Sequence, residues 1–98
     1  MHAHPMVLIT IVCQERLIPS LVELLRRRGA TGYTITNVQG LSFGKDESQQ
    51  QRFMLQVVVP HEEADHILDD IIQRDYHSDS FVLWTTEVEV LRRGRFVR

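Results

Sequence analysis

The groups able to do chemistry in this chain are few and unevenly placed. Ten of its eleven basic residues are arginines, with Lys45 the one lysine. Arg26, Arg27 and Arg28 are contiguous, and Arg92, Arg93, Arg95 and Arg98 crowd the end of the chain. A guanidinium carries a planar fork of donors that matches phosphate and carboxylate, so this bias points to anion recognition at particular places. A second feature is the turn Gly29-Ala-Thr-Gly-Tyr-Thr34, with Gly40 beyond it. Small residues let a main chain approach a ligand closely, and free N–H groups beside arginine forks complete an anion cradle. Singly, a helix cap explains Gly29 and a solvated tail explains the arginines; together, in this order, they form a candidate site.

The remaining reactive groups point elsewhere. His61-Glu-Glu-Ala-Asp-His66 superficially resembles a zinc-protease helix, but those enzymes need histidines at i and i+4. Here they lie at i and i+5, about 140° apart around a helix, which reads as a surface helix. His2 and His4 fit a small metal-binding terminus and a frayed one equally well. Cys13 lies within an apolar run and reads as a small core hydrophobe; a lone cysteine also excludes an intramolecular disulfide and a multi-cysteine zinc site. No acid–base or nucleophile–base pair stands out, so the chain is expected not to be an enzyme.

The elements that must hold these residues follow from composition and spacing. With 98 residues, 43% of them hydrophobic, and a net charge of −2, the chain has room for one modest core, so a deep site has to be shared with another chain. A slightly acidic total argues against nucleic-acid binding. No apolar run approaches the roughly 20 residues needed to cross a bilayer, and the first five residues carry no signal-peptide features. A reduced, cytoplasmic setting and a flexible N-terminus over residues 1–5 are expected.

Met6 to Cys13 is apolar at both parities, as a strand buried on both faces is. Glu15 to Arg28 has helical apolar spacing through Leu17, Ile18, Leu21, Val22, Leu24 and Leu25, with arginines where the helix dipole favours them and Gly29 as the stop. Tyr33 to Val38 alternates as a half-buried strand. Gly40 to Gln51 shows no apolar period and is expected to be a long mobile loop of functional type. Phe53 to Val59 is a strand ended by Pro60, His61 to Tyr76 a second helix, and Phe81 to Leu91 a last strand with one covered and one wetter face. The order is an α+β, ferredoxin-like βαββαβ arrangement in one domain over 1–98: an antiparallel sheet with both helices on one face. The other face, with Trp84 near it, must be covered, which predicts a homo-oligomer.

Beyond these readings, Gly29-Ala-Thr-Gly-Tyr-Thr-Ile-Thr-Asn-Val-Gln-Gly40 resembles the segment of PII signalling proteins in which a Gly-x-Thr-Gly-x-Thr turn opens the second strand and a Gly begins the T-loop. Phe53-Met-Leu-Gln-Val-Val-Val-Pro60 with Asp69-Asp-Ile-Ile72, and Glu87-Val-Glu-Val-Leu-Arg-Arg-Gly94, are similar to later segments of the same family. The resemblance implies a trimer that binds adenine nucleotides between subunits and reports occupancy through a T-loop, here residues 40–51. Carried over by position, Ile11, Gly29, Thr31 and Val58 line the adenosine pocket, and Gly40 and Gly44 lie at the phosphate side of the T-loop. On the same basis Arg92 contacts phosphate with Arg93 able to replace it, and Tyr33 and Thr34 wall the pocket.

Two departures narrow the expectation. His77-Ser-Asp-Ser80 stands where nitrogen-regulatory members carry a Gly-rich, Lys-containing loop, which removes much of a triphosphate's cradle. The T-loop has no Tyr to modify and no clear Gln for magnesium and 2-oxoglutarate, which disfavours nitrogen sensing. The turn and the Glu-Val-Leu-Arg ending look more like carboxysome-associated PII-like proteins and PII-like regulators of bicarbonate transporters. AMP, ADP or cyclic AMP is therefore the expected ligand, ATP less so, with bicarbonate as a co-ligand and a membrane transporter or carboxysome-related protein as T-loop partner. The alternative is a trimeric PII-like metal-handling protein of the divalent-ion tolerance or heavy-metal efflux type, motivated by five histidines.

Overall fold

The computed structural model describes residues 3–40, 50–74 and 81–97 of the chain. Four strands form one sheet: β1 (His4–Cys13), β2 (Thr34–Gly40), β3 (Gln50–Val59) and β4 (Val82–Val90), ordered β2-β3-β1-β4. Every neighbouring pair is antiparallel. Two helices, α1 (Ile18–Arg27) and α2 (His61–Gln73), complete the ferredoxin-like arrangement, with single 3-10 turns at Glu15–Leu17 and Arg93–Arg95. Among the described residues no helix is long and apolar enough to cross a membrane.

Sheet order explains the apolar run in β1. It is an inner strand flanked by β3 and β4, and its alternate residues Val7, Ile9, Ile11 and Cys13 enter the core with Leu21, Leu24 and Leu25 of α1 and Ala64, Ile67 and Ile71 of α2. Leu55, Val57 and Val59 of β3 stand opposite Ile11, Ile9 and Val7 and share that face. The intervening residues Met6, Leu8, Thr10 and Val12 look the other way, onto a face that no helix among the described residues covers. Thr10 is nonetheless fully buried and accepts a hydrogen bond from Gln56 Nε2 at 3.3 Å.

The register of β4 gives its alternation a direction. Glu87 pairs with the core residue Val7, so the glutamates lie on the helix side, where Glu87 Oε2 meets His61 Nε2 at 2.7 Å. Trp84, Thr86 and Val88 pair with Thr10, Leu8 and Met6 and therefore lie on the open face. The wetter side of β4 is the helix side, and the apolar side is the one left uncovered.

Several bounds differ from the sequence pattern. β1 begins at His4, because His4 and Pro5 pair with Val90 and Glu89 instead of fraying. The hairpin stem takes in Gly40 opposite Gln50 and Gln39 opposite Gln51, shortening the segment read as loop at both ends. α2 runs to Gln73 with Arg74 as its cap, and residues 75–76 of the expected helix lie outside the described residues. At the end of α1, Ala30 N–H donates to Leu25 O at 3.0 Å and Gly29 N–H to Arg26 O at 3.1 Å. That is a Schellman closure, and it requires the left-handed φ of +86° that Gly29 adopts.

Candidate functional site

The Schellman closure at Gly29 turns the chain out of α1 and delivers residues 30–33 to the start of β2 with no regular structure of their own. The C-terminal 3-10 turn comes back against this segment, and the Thr31 hydroxyl donates to the main-chain oxygen of Arg95. The two meet around a cleft of about 660 Å³ lined by Thr31, Gly32, Tyr33, Thr34, Gly94, Arg95 and Phe96. A smaller cleft of about 200 Å³ shares Phe96 and is lined also by Arg28, Gly29, Pro60, Glu62, Glu63, Arg93 and Val97.

The larger cleft combines two threonines, Arg95, two glycines and the aromatic residues Tyr33 and Phe96, with Tyr33 half exposed. Such a set suits a flat ring that can pack on aromatic faces and an anion that can accept from a guanidinium. At Gly32 and Gly94 an added Cβ would meet nothing within 4 Å, so the space beside them is open.

The expected site residues divide into three groups. Thr31, Tyr33 and Thr34 line the larger cleft, and Gly29 and Arg93 the smaller. Arg92 is exposed, at the entry to the 3-10 turn, and borders neither cleft. Val58, half-buried on the open sheet face opposite Leu8, and Gly40, at the end of β2, also border neither. Ile11 is 0% exposed and packed in the core on the helix side, opposite Leu55 and Leu83, and its side chain borders neither cleft. Gly44 and the 77–80 turn lie outside the described residues.

Gly94 and Phe96 line the cleft without having been assigned to it, whereas Gly32 and Arg95 belong to the turn and the arginine cluster already read together as a candidate site. Phe96, the one aromatic among the closing arginines, was the available signal. The contiguous arginines also do more than end a helix. Arg26 bonds Glu23 through both carboxylate oxygens, at 2.5 and 3.0 Å, and Arg28 bonds Asp70 of α2 at 2.6 and 2.9 Å. The Arg28 hydrogen bonds hold the Asp70 carboxyl below the usual carboxylate range, and burial pushes the Cys13 thiol up. Among the described residues no group of three or more His, Cys, Asp or Glu side chains could hold a metal ion, which leaves the metal-handling alternative without support.

Comparison with curated proteins finds no match. Among solved structures, the chain is similar to a PII-like signalling protein of Thermus thermophilus, with 33% identity, a TM-score of 0.81, and 99% of this chain and 100% of that one covered. It is also similar to CPII of Thiomonas intermedia in two complexes. One holds ADP, AMP and acetate, with 23% identity, a TM-score of 0.82 and 98% of each chain covered. The other holds ADP and bicarbonate, with 22% identity, a TM-score of 0.84 and 97% of each chain covered. The sequence itself matches the family described as nitrogen regulatory protein P-II over residues 6–95, and the chain belongs to that family.

Proposed function

We propose that this PII-family regulator binds an adenine nucleotide, AMP or ADP, in the cleft between the Thr31–Thr34 turn and the Arg93–Arg95 turn. The observation that carries this reading is the convergence of those two segments, which lie far apart in sequence, on one open cleft of about 660 Å³. The base packs on Tyr33 and Phe96, the hydroxyls of Thr31 and Thr34 meet polar atoms of the ligand, and Arg95 and Arg93 take the phosphates. Bound ADP, AMP and bicarbonate in the Thiomonas protein favour the same ligand class here.

The protomer works as part of a trimer, whose contacts cover the open sheet face around Trp84 and complete each cleft with a neighbour's surface. β2 links cleft to loop, since Thr34 lines the cleft and Gly40 begins the 40–51 segment. Ligand occupancy is thereby passed to a T-loop that engages a transporter or an inorganic-carbon protein in the cytoplasm, without catalysis.

Isothermal titration with AMP, ADP, ATP and cyclic AMP, with and without bicarbonate, tests the reading. Heat of binding with AMP or ADP, weakened by Arg95→Gln for nucleotides but not for adenosine, is expected. No heat with any adenine nucleotide refutes it.

A further inference from the structure

On the helix side of the sheet, opposite the face that the proposed trimer covers, a cleft of about 450 Å³ opens where α1 meets α2. Its lining is Arg27, Arg28, Asp70, Gln73 and Arg74. Three permanent positive charges thus face one carboxylate. That carboxylate is committed: Asp70 Oδ2 accepts from Arg28 Nε at 2.6 Å and Oδ1 from Arg28 Nη2 at 2.9 Å, which fixes the Arg28 fork as a brace between the helices.

The other two arginines are less engaged. The nearest carboxylate oxygen to Arg27 is Glu23 Oε1 at 4.0 Å, and Glu23 already accepts from Arg26 through both oxygens. Arg74 Nη1 reaches only the carbonyl and hydroxyl oxygens of Ser20, both neutral and both at 3.4 Å, beyond the usual range of a strong hydrogen bond. Among the described residues, then, two guanidiniums border this cleft with no carboxylate in hydrogen-bond contact. The C-terminal ends of α1 and α2 bring partial negative charge nearby, roughly half an electron each, and Glu23, itself bonded to Arg26, and Glu63 and Asp69, in electrostatic range of Arg28, offset a further part of this excess.

We propose that this inter-helix cleft is an anion site for the phosphoryl group of a small phosphate ester, separate from the Thr31–Phe96 cleft. Arg27 and Arg74 supply charge-assisted donors to the phosphoryl oxygens, held apart at a set distance by the Arg28–Asp70 brace, and the Gln73 amide adds a neutral donor. The volume exceeds a bare phosphate and leaves room for an attached group. The site stands whether or not the Thr31–Phe96 cleft takes a nucleotide, because the two share no residue.

The test uses inorganic phosphate and pyrophosphate as probes, followed by amide and arginine Nε–H signals in the full chain. Saturable shifts at Arg27, Arg28, Gln73 and Arg74 are expected, with dissociation constants of about a millimolar or tighter and a loss of about tenfold or more in the Arg27→Gln, Arg74→Gln double variant. Arg95→Gln should leave these shifts in place. Because Arg74 also holds Ser20, the single variant Arg27→Gln, which touches neither that contact nor the brace, must by itself weaken binding by several-fold with an unchanged melting temperature. Shifts that never saturate and are matched by sodium chloride at equal ionic strength overturn the proposal. So do equal affinity in the double variant and shifts confined to Thr31, Gly32 and Arg95.

Discussion

Replacing Ile11 by valine separates two roles that this position could have. The side chain is 0% exposed, on the inner strand β1, with Leu55 and Leu83 paired opposite it and the helices above. Removing one methylene forfeits about 0.8 kcal/mol of transfer free energy. Incomplete collapse around the gap adds a cavity cost, and such changes fall at about 0.5–1.5 kcal/mol in total. In a domain of this length each kcal/mol moves the melting temperature by about 4–8 °C, so a drop of roughly 2–12 °C is expected. Scanning calorimetry at one fixed protein concentration measures it, since the proposed assembly makes the midpoint concentration-dependent. Titration of the same variant with AMP should give an affinity unchanged within about twofold. An unaltered melting temperature with weakened AMP binding would place Ile11 in the pocket and reverse the facing assigned to β1.

Three further outcomes are expected. Trp84, the one tryptophan, is 43% exposed on the open face, and Trp84→Asp should convert the proposed trimer into monomers at micromolar concentration by sedimentation, with the far-ultraviolet spectrum retained. Gly32→Ala adds a Cβ that meets no atom of the chain within 4 Å, so melting should hold; an occupied cleft nevertheless loses space, and nucleotide affinity should fall about tenfold. Asp70 is held below its ordinary value mainly by its hydrogen bonds to Arg28, so its contribution to stability is present above the unfolded-state value and lost as pH falls through the folded one. Thermal melts of Asp70→Asn between about pH 5 and pH 2 should therefore show a flatter acid decline than the parent chain.

What the sequence made legible was what local pattern encodes. β1 declared itself an inner strand by being apolar at both parities, and α1 by its leucine spacing and glycine stop. The facing of Ile11 was not legible, because family resemblance carries over a position without its facing, and in a strand the facing alternates with every residue. Gln50 and Gln51 read as loop because no side-chain period marks a hairpin stem held by main-chain pairing. The Arg28–Asp70 brace and the Thr31–Arg95 hydrogen bond join residues far apart in the chain, and nothing in their neighbours announces either contact. The Thr-Gly-Tyr-Thr turn was found because its glycines and hydroxyls sit together in sequence as they do in space.

The clasp between the Thr31 hydroxyl and the Arg95 carbonyl gives the cleft a built-in competitor. Any ligand that accepts from Thr31 does so by exchange: one hydrogen bond is surrendered as another forms, and the net gain from that contact is small. A hydroxyl that already donates keeps lone pairs with which to accept, so Thr31 can meet a donor of the ligand while the clasp stays closed and Arg95 and Phe96 stay at the cleft.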